Sequence, residues 1–127
     1  MNVASIVLVV LLSGFVVAQT QRPASATYSS NGVLIGLADL TPLRDCRVRS
    51  IEGKVKTVKE KGGVVSFDLA SKSDRLTFQF PVSRLATAEQ ASFHKDFLHK
   101  GLRLRASGYA CRGKDDPLEA ISIERVY

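Results

Sequence analysis

The chain has 127 residues, a net charge of +6 at pH 7 and a hydrophobic content of 45%. This length is one domain's worth and allows a single modest core. The basic balance favours partners that carry negative charge, such as nucleic acid, anionic polysaccharide or a lipid surface. Exported proteins without such partners often share it, so charge alone does not select a function.

The amino-terminal segment, residues 1–18, is mostly apolar and has no charged side chain. Val16 and Ala18 match the −3 and −1 positions of a signal-peptidase site, which predicts cleavage between Ala18 and Gln19. A retained anchor is the alternative, and only then would the protein contact a membrane. However, the apolar run is interrupted before it reaches the ~20 residues that a spanning helix needs. The sequence therefore predicts an exported protein, periplasmic or extracellular.

The chain has two cysteines, Cys46 and Cys111. An even number of cysteines in an exported chain predicts a disulfide bond. A metal site would need further ligands, and neither cysteine has a histidine or a second cysteine close to it in the sequence.

A lead-in precedes the regular patterns. Residues 19–30 are polar, and the whole segment 19–45 is predicted as flexible. An apolar patch around Val33, Leu34 and Leu37 indicates either a short extra strand or a segment packed against the domain. The domain itself is predicted to span residues 46–127.

Three stretches then alternate between apolar and polar residues, the pattern of half-buried strands. The first, residues 47–59, has inward positions at Ile51 and Val55 and slips at Thr57, which predicts a bulge. A Lys-Gly-Gly turn follows. The inward positions of the next two strands are Val65, Phe67, Leu69, Leu76, Phe78 and Phe80.

In the last third of the chain the spacing of the apolar residues changes. Residues 83–100 repeat apolar positions at helical spacing, which predicts one helix of three to four turns that ends at Gly101. Residues 102–111 and 118–127 alternate again and predict two strands, joined by a turn at residues 113–117.

This order, β-β-β-α-β-β, resembles the OB-fold, a five-stranded Greek-key barrel with a helix between its third and fourth strands. The resemblance covers residues 46–127 and depends on strand order, the bulge in the long first strand and the helix position. It implies an all-β domain with one helix. In such a barrel the first strand pairs antiparallel with the fourth, which brings Cys46 beside Cys111 and agrees with the predicted disulfide.

Basic residues form the first candidate site, here called the basic face. They lie on the outward side of the first and fourth strands or in the adjoining turn, and are Lys54, Lys56, Lys59, Lys61, Arg103 and Arg105. Such a face could neutralise several phosphates or sulfates. The alternative is a solvated surface that prevents edge-to-edge aggregation.

Aromatic side chains are missing from the outward positions of the second and third strands. OB-folds that hold single-stranded nucleic acid stack bases on such rings. Here those positions are Ser66, Asp68, Thr77 and Gln79. This argues against specific nucleic-acid recognition and leaves only electrostatic binding of low specificity.

Residues suited to metal binding or catalysis are few. His94 and His99 are five positions apart, which places them on different faces of a helix, so no metal site is predicted. Nuclease-type OB barrels gather carboxylates and arginines around calcium, and the candidates would be Asp68, Asp74, Asp115 and Asp116. Their spacing does not match that arrangement, and the sequence has no nucleophile elbow or phosphate-binding glycine loop.

These observations predict a non-catalytic, exported binding or accessory module without a cofactor or metal. Its partner is an unidentified protein or small ligand. The alternative is an electrostatic binder of anionic polymer or single-stranded nucleic acid through the basic face, and a phosphodiesterase is the remotest option.

Overall fold

The structure, a computed structural model, describes residues 23–113 and 116–127. The predicted leader with its cleavage site between Ala18 and Gln19 lies outside these residues, as does Asp115. In chain order the elements are β1 Ser25–Tyr28, β2 Leu34–Ala38, β3 Arg47–Lys61, β4 Val64–Ala70, β5 Arg75–Pro81, a 3₁₀ turn Val82–Arg84, α1 Thr87–Asp96, β6 Arg103–Ala110 and β7 Leu118–Arg125.

The first three predicted strands correspond to β3, β4 and β5, which form an antiparallel meander. The predicted inward side chains of β4 and β5 are all buried, and Phe67, Phe78 and Phe80 are at most 1% exposed. Phe67 and Phe78 stack with ring centroids 5.4 Å apart. The side-chain parity predicted from the alternation is therefore confirmed.

A bulge and a tight turn shape β3. Its register against β4 shifts between Val55 and Thr57, which places the bulge one residue before the predicted slip. Gly62 and Gly63 both have positive φ angles, 60° and 77°. A two-residue hairpin turn of this type requires them, and glycine adopts them without a steric cost.

The strand pairings close on themselves. β3 pairs antiparallel with β6, β6 pairs antiparallel with β7, and β7 runs parallel to β5. From β3 the hydrogen-bonded neighbours are thus β4, β5, β7, β6 and β3 again. The predicted antiparallel pairing of the first and fourth strands of the domain is confirmed.

The disulfide joins two strand ends that this pairing brings together. Arg47 opens β3 opposite Ala110, which closes β6. Cys46 and Cys111 are the next residues outward, and their sulfur atoms are bonded with the Cα atoms 5.1 Å apart. The predicted disulfide is confirmed.

The helix is shorter than predicted. A 3₁₀ turn occupies Val82–Arg84, so α1 begins at Thr87, and it ends at Asp96. Beyond the helix, the amide of Gly101 donates to the carbonyl of Val55 at 2.8 Å. The helix has ended before this point, since the amides of Phe97 and Leu98 both donate to the carbonyl of Phe93. Gly101 therefore lies in the turn before β6 instead of capping α1.

Residues 23–45 carry two strands rather than the predicted flexible lead-in. β1 pairs antiparallel with β2, and β2 joins the edge of β7. Leu34, Leu37 and Leu40 are buried in the common core. The amide of Leu34 also donates to a carboxylate oxygen of Asp96 at 3.0 Å, which ties β2 to the end of α1. The undecided apolar patch is therefore part of the sheet.

Candidate functional site: an arginine-lined cleft

The basic face is assembled by the pairing of β3 with β6. Lys54 lies opposite Arg103, and Glu52 lies opposite Arg105. The strand pairing thus brings the predicted basic side chains of both strands side by side, with an acidic residue among them.

Carboxylates neutralise both arginines of this face. Glu52 accepts from Arg103 at 3.3 Å and from Arg105 at 3.0 Å, and Arg105 also contacts Glu124 at 2.8 Å. The hydrogen bonds from Arg105 and then Arg103 lower the pKa of Glu52, and those to Glu124 and Glu52 raise the pKa of Arg105. The face is therefore mixed in charge where the sequence predicted a positive patch.

The lysines of the basic face remain exposed. The bulge shifts the alternation of β3 by one residue. Lys59 and Lys61 therefore share the outer surface with Lys54, while Lys56 lies exposed within the bulge. None of the four forms an ion pair with any residue that the structure describes. What is left of the predicted positive patch is a line of lysines along β3.

Asp68, a candidate carboxylate for phosphodiester cleavage, is held by hydrogen bonds within the sheet. Asp68 accepts from Thr77 at 2.7 Å and from Arg75 at 2.7 Å. Partial burial works against ionisation of Asp68, yet the hydrogen bonds from Thr77, Arg75 and Thr57 prevail and lower its pKa. Neither arginine of the basic face pairs with it. Asp68 therefore acts as a cross-strand link between β4 and β5.

Neither histidine belongs to a group of potential metal ligands in the described residues. His94 on α1 contacts Glu60 of β3 at 3.1 Å, and His99 is exposed in the turn that follows the helix. Within residues 23–113 and 116–127, no three histidine, cysteine or acidic side chains are grouped so that they could hold a metal ion.

A cleft of about 660 Å³ opens at the end of the sheet that carries the disulfide. The start of β3, the β4–β5 turn, the start of β5 and the loop between β6 and β7 surround it. Its lining residues are Arg47, Arg49, Asp74, Arg75, Leu76, Thr77, Ala110, Arg112, Gly113, Asp116 and Leu118. Asp74 and Asp116, two of the carboxylates considered above for phosphodiester cleavage, belong to this lining, whereas no residue of the basic face does.

The cleft exists because neighbouring strands end at different levels. β4 ends at Ala70, opposite Lys54, so the first half of β3 has no partner on that side. β7 begins at Leu118, opposite Phe78, which leaves the start of β5 paired with β4 but without a partner on its β7 side. These two strand segments, each paired on one side only, border the opening, and Arg112, Gly113 and Asp116 line it from the connection between β6 and β7.

The first arginines of β3 line this opening, Arg47 as an exposed residue and Arg49 as a half-buried one. Arg47 and Arg49 have the same parity as Ile51 and Val55, which are buried in the core. Where β3 reaches the cleft, its inward positions thus change from apolar side chains to guanidinium groups. Arginine is rarely placed at an inward position unless it is paired or serves a ligand.

Two of the four arginines of the cleft have a carboxylate partner. Arg75 is held by Asp68, and Arg49 contacts Asp74 at 3.6 Å. Arg47 and Arg112 have no ion pair in the described part of the chain. They flank the disulfide, so the covalent bond between their neighbours holds the two backbone segments together.

Both aspartates of the lining also serve the local backbone. Asp74 accepts the amide of Arg75 at 2.9 Å, and Asp116 accepts the amide of Gly113 at 2.9 Å. Such contacts stabilise turns. The acidic side chains thus shape the rim, and the lining has four arginines against two aspartates.

Comparison of the chain with protein-family models, with curated proteins and with solved structures found no match. Among the helices of the described residues, none combines the length and the apolar character that a bilayer crossing requires.

Proposed function

We propose that residues 46–127 form an OB-fold domain. The support is the strand order, the antiparallel pair of β3 and β6, the parallel pair of β5 and β7, the bulge in β3 and the position of α1 between β5 and β6. Each of these features is expected of a five-stranded Greek-key barrel. The hairpin of β1 and β2 is then an addition at the edge of β7.

We propose that this domain is a non-catalytic binding module and that its ligand occupies the arginine-lined cleft. One observation carries the proposal: Arg47 and Arg49 take inward positions of β3 at the mouth of the core. Arg47 is exposed there and Arg49 is half-buried, and both line the same opening. A ligand site explains why they face a concavity of about 660 Å³, a size typical of small-ligand pockets.

The experiment is an NMR titration of the ¹⁵N-labelled protein with small anionic, cationic and neutral compounds. Binding in the cleft predicts that saturable shifts concentrate at the amides of Arg49, Leu76 and Gly113. The amide of Lys59, on the outer surface of β3, serves as the internal control. If no compound gives saturable shifts in the cleft, the proposal fails.

We further propose export to an oxidising compartment, periplasmic or extracellular. The disulfide and the signal-like residues 1–18 support it, because such bonds persist outside the cytoplasm. Mass spectrometry of the protein recovered from the envelope or medium of an expressing culture tests it. A mature chain that begins at Gln19 is the expected result. A full-length chain found only in the cytoplasm would contradict it.

A second candidate function is electrostatic binding of an anionic polymer along the lysines of β3. The observation that favours it is the shared outer surface of Lys54, Lys59 and Lys61, without carboxylate partners in the described residues. Retention on immobilised heparin should then fall steeply with salt, since bound counterions are released when phosphates or sulfates are neutralised. Substitution of these lysines by glutamine would lower the eluting salt concentration if they are the site.

A further inference from the structure

We infer that the ligand of the cleft is a compact molecule with two or more oxyanion groups, phosphate or sulfate, and that Arg47 and Arg112 are its principal contacts. This inference rests on the binding role proposed above and specifies the chemistry of that site.

The first argument is the charge that the cleft leaves uncompensated. Of its four arginines, Arg75 is paired with Asp68 and Arg49 is in contact with Asp74. The remaining two, Arg47 and Arg112, have no acidic partner among the residues that the structure describes. With Asp116 also in the lining, the four arginines exceed the carboxylates Asp68, Asp74 and Asp116 by one, so the cleft favours a ligand that carries negative charge.

The second argument is the geometry of the guanidinium group. It is planar and presents its donors as a fork that matches two oxygens of a phosphate or sulfate. Arg47 and Arg112 approach the cleft from adjacent strand ends, which the disulfide holds together. Two such forks on a fixed backbone can bind separate oxyanion groups of one molecule without a large loss of conformational freedom.

The third argument is the floor of the cleft. Leu76 and Leu118, at 8% and 4% exposure, form an apolar base together with Ala110. Apolar surroundings lower the local dielectric constant and strengthen charge-assisted hydrogen bonds. None of the described residues that line the cleft is aromatic, so they offer a nucleobase no stacking partner.

Size supplies the last argument. The cleft measures about 660 Å³, far more than a single phosphate or sulfate ion fills. A small organic or condensed body that carries several oxyanion groups fits this volume. An extended polymer would instead follow the lysines on the outer surface of β3.

The test uses the full-length protein and three probes: inorganic pyrophosphate, sucrose octasulfate and sucrose. Isothermal titration calorimetry should detect binding of at least one of the two anions and none of the neutral sugar. Affinity should fall as salt rises, because the contacts are electrostatic.

A charge-matched pair of double variants locates the site. Arg47→Ala with Arg112→Ala should weaken anion binding about tenfold or more, since two charge-assisted contacts are lost. Arg103→Ala with Arg105→Ala changes the net charge equally on the basic face and should alter affinity less than threefold. The dispersion of amide NMR signals verifies that both variants fold.

The outcomes separate this inference from the proposed function. If both double variants weaken binding equally, the anions sense only net charge and the inference is wrong. If neutral compounds shift the cleft amides while neither anion binds, the binding role stands and the oxyanion inference is again wrong. If nothing binds in the cleft, both fail.

Discussion

Cys46 and Cys111 are bonded across the paired ends of β3 and β6, with their Cα atoms 5.1 Å apart and a sequence separation of 65 residues. The bond closes most of the domain into one covalent loop. It also fixes the spacing of the residues that follow each cysteine, Arg47 and Arg112, at the mouth of the cleft. The same bond therefore serves stability and the geometry of the proposed site.

Removal of the disulfide should cost a large part of the stability of the domain. The double variant Cys46→Ala with Cys111→Ala should lose about 4 kcal/mol of unfolding free energy, because its unfolded chain regains the entropy that the loop removed. Urea denaturation measures this loss. Reductant should lower the midpoint of the wild type toward that of the variant and leave the variant unchanged. Thiol labelling of the oxidised, denatured wild type should find no free cysteine.

Gly53 should not tolerate a methyl group. A Cβ atom there would lie 2.4 Å from the carbonyl oxygen of Ala70, a backbone atom that cannot turn aside. Gly53→Ala should therefore destabilise the domain by about 1–3 kcal/mol, the usual cost of overpacking. The midpoint of thermal or urea unfolding reports it.

Gly36 provides the matched control within the same sheet. Its hypothetical Cβ atom meets Thr27 at 3.4 Å, an ordinary contact. Gly36→Ala should be neutral or slightly stabilising, since alanine restricts the unfolded chain more than glycine does. Equal losses in both variants would show that strand propensity, rather than the close approach of Ala70, explains the effect at Gly53.

Asp68 should make the stability of the domain depend on acid pH. Its pKa lies below the ordinary value of 3.8, because the hydrogen bonds from Thr77, Arg75 and Thr57 outweigh the burial that opposes ionisation. A carboxyl whose pKa is lowered by folding stabilises the native state fully above the pKa of the unfolded chain. That contribution disappears as the pH falls below about 4 toward the lower native pKa.

Two substitutions examine this linkage. Asp68→Asn should lower stability at pH 7 by about 1 kcal/mol and flatten the dependence of stability on pH below about 4. Thr77→Val removes the donor at 2.7 Å and should raise the carboxyl pKa toward its ordinary value, which a ¹³C NMR titration of the side chain detects. An unchanged pKa in the second variant would refute the role given to Thr77.

Much of the sheet follows from the sequence because alternation in one strand is a local property. The burial of Phe67 and Phe78 and the bulge near Thr57 could be predicted from period-two patterning alone. The end of α1 could not, since Asp96 at that end binds the amide of Leu34, which is 62 positions away in the sequence. Helix boundaries depend on such tertiary contacts more than on propensity.

The cleft could have been recognised from two sequence signals. The alternation that places Ile51 inward continues to Arg49 and Arg47, so arginines at inward positions were already visible. The pairing of the cysteines also brings their neighbours Arg47 and Arg112 together. By contrast, the neutralisation of Arg105 by Glu52 depends on the register between β3 and β6, which alternation does not specify.

Glu52 should weaken the binding of polyanions to the basic face. Its substitution by glutamine should therefore strengthen that binding. It holds Arg103 and Arg105 in ion pairs at 3.3 and 3.0 Å. Glu52→Gln removes the carboxylate partner of Arg103 and leaves Arg105 paired with Glu124 alone. The variant should therefore elute from heparin at a higher salt concentration than the wild type. The affinity of the cleft for pyrophosphate or sucrose octasulfate should stay within twofold, because Glu52 does not line the cleft.

Asp39→Asn, which removes one negative charge outside the basic face, is the control and should shift heparin elution less. If the two variants shift elution equally, heparin responds to net charge, and the basic face has no local role.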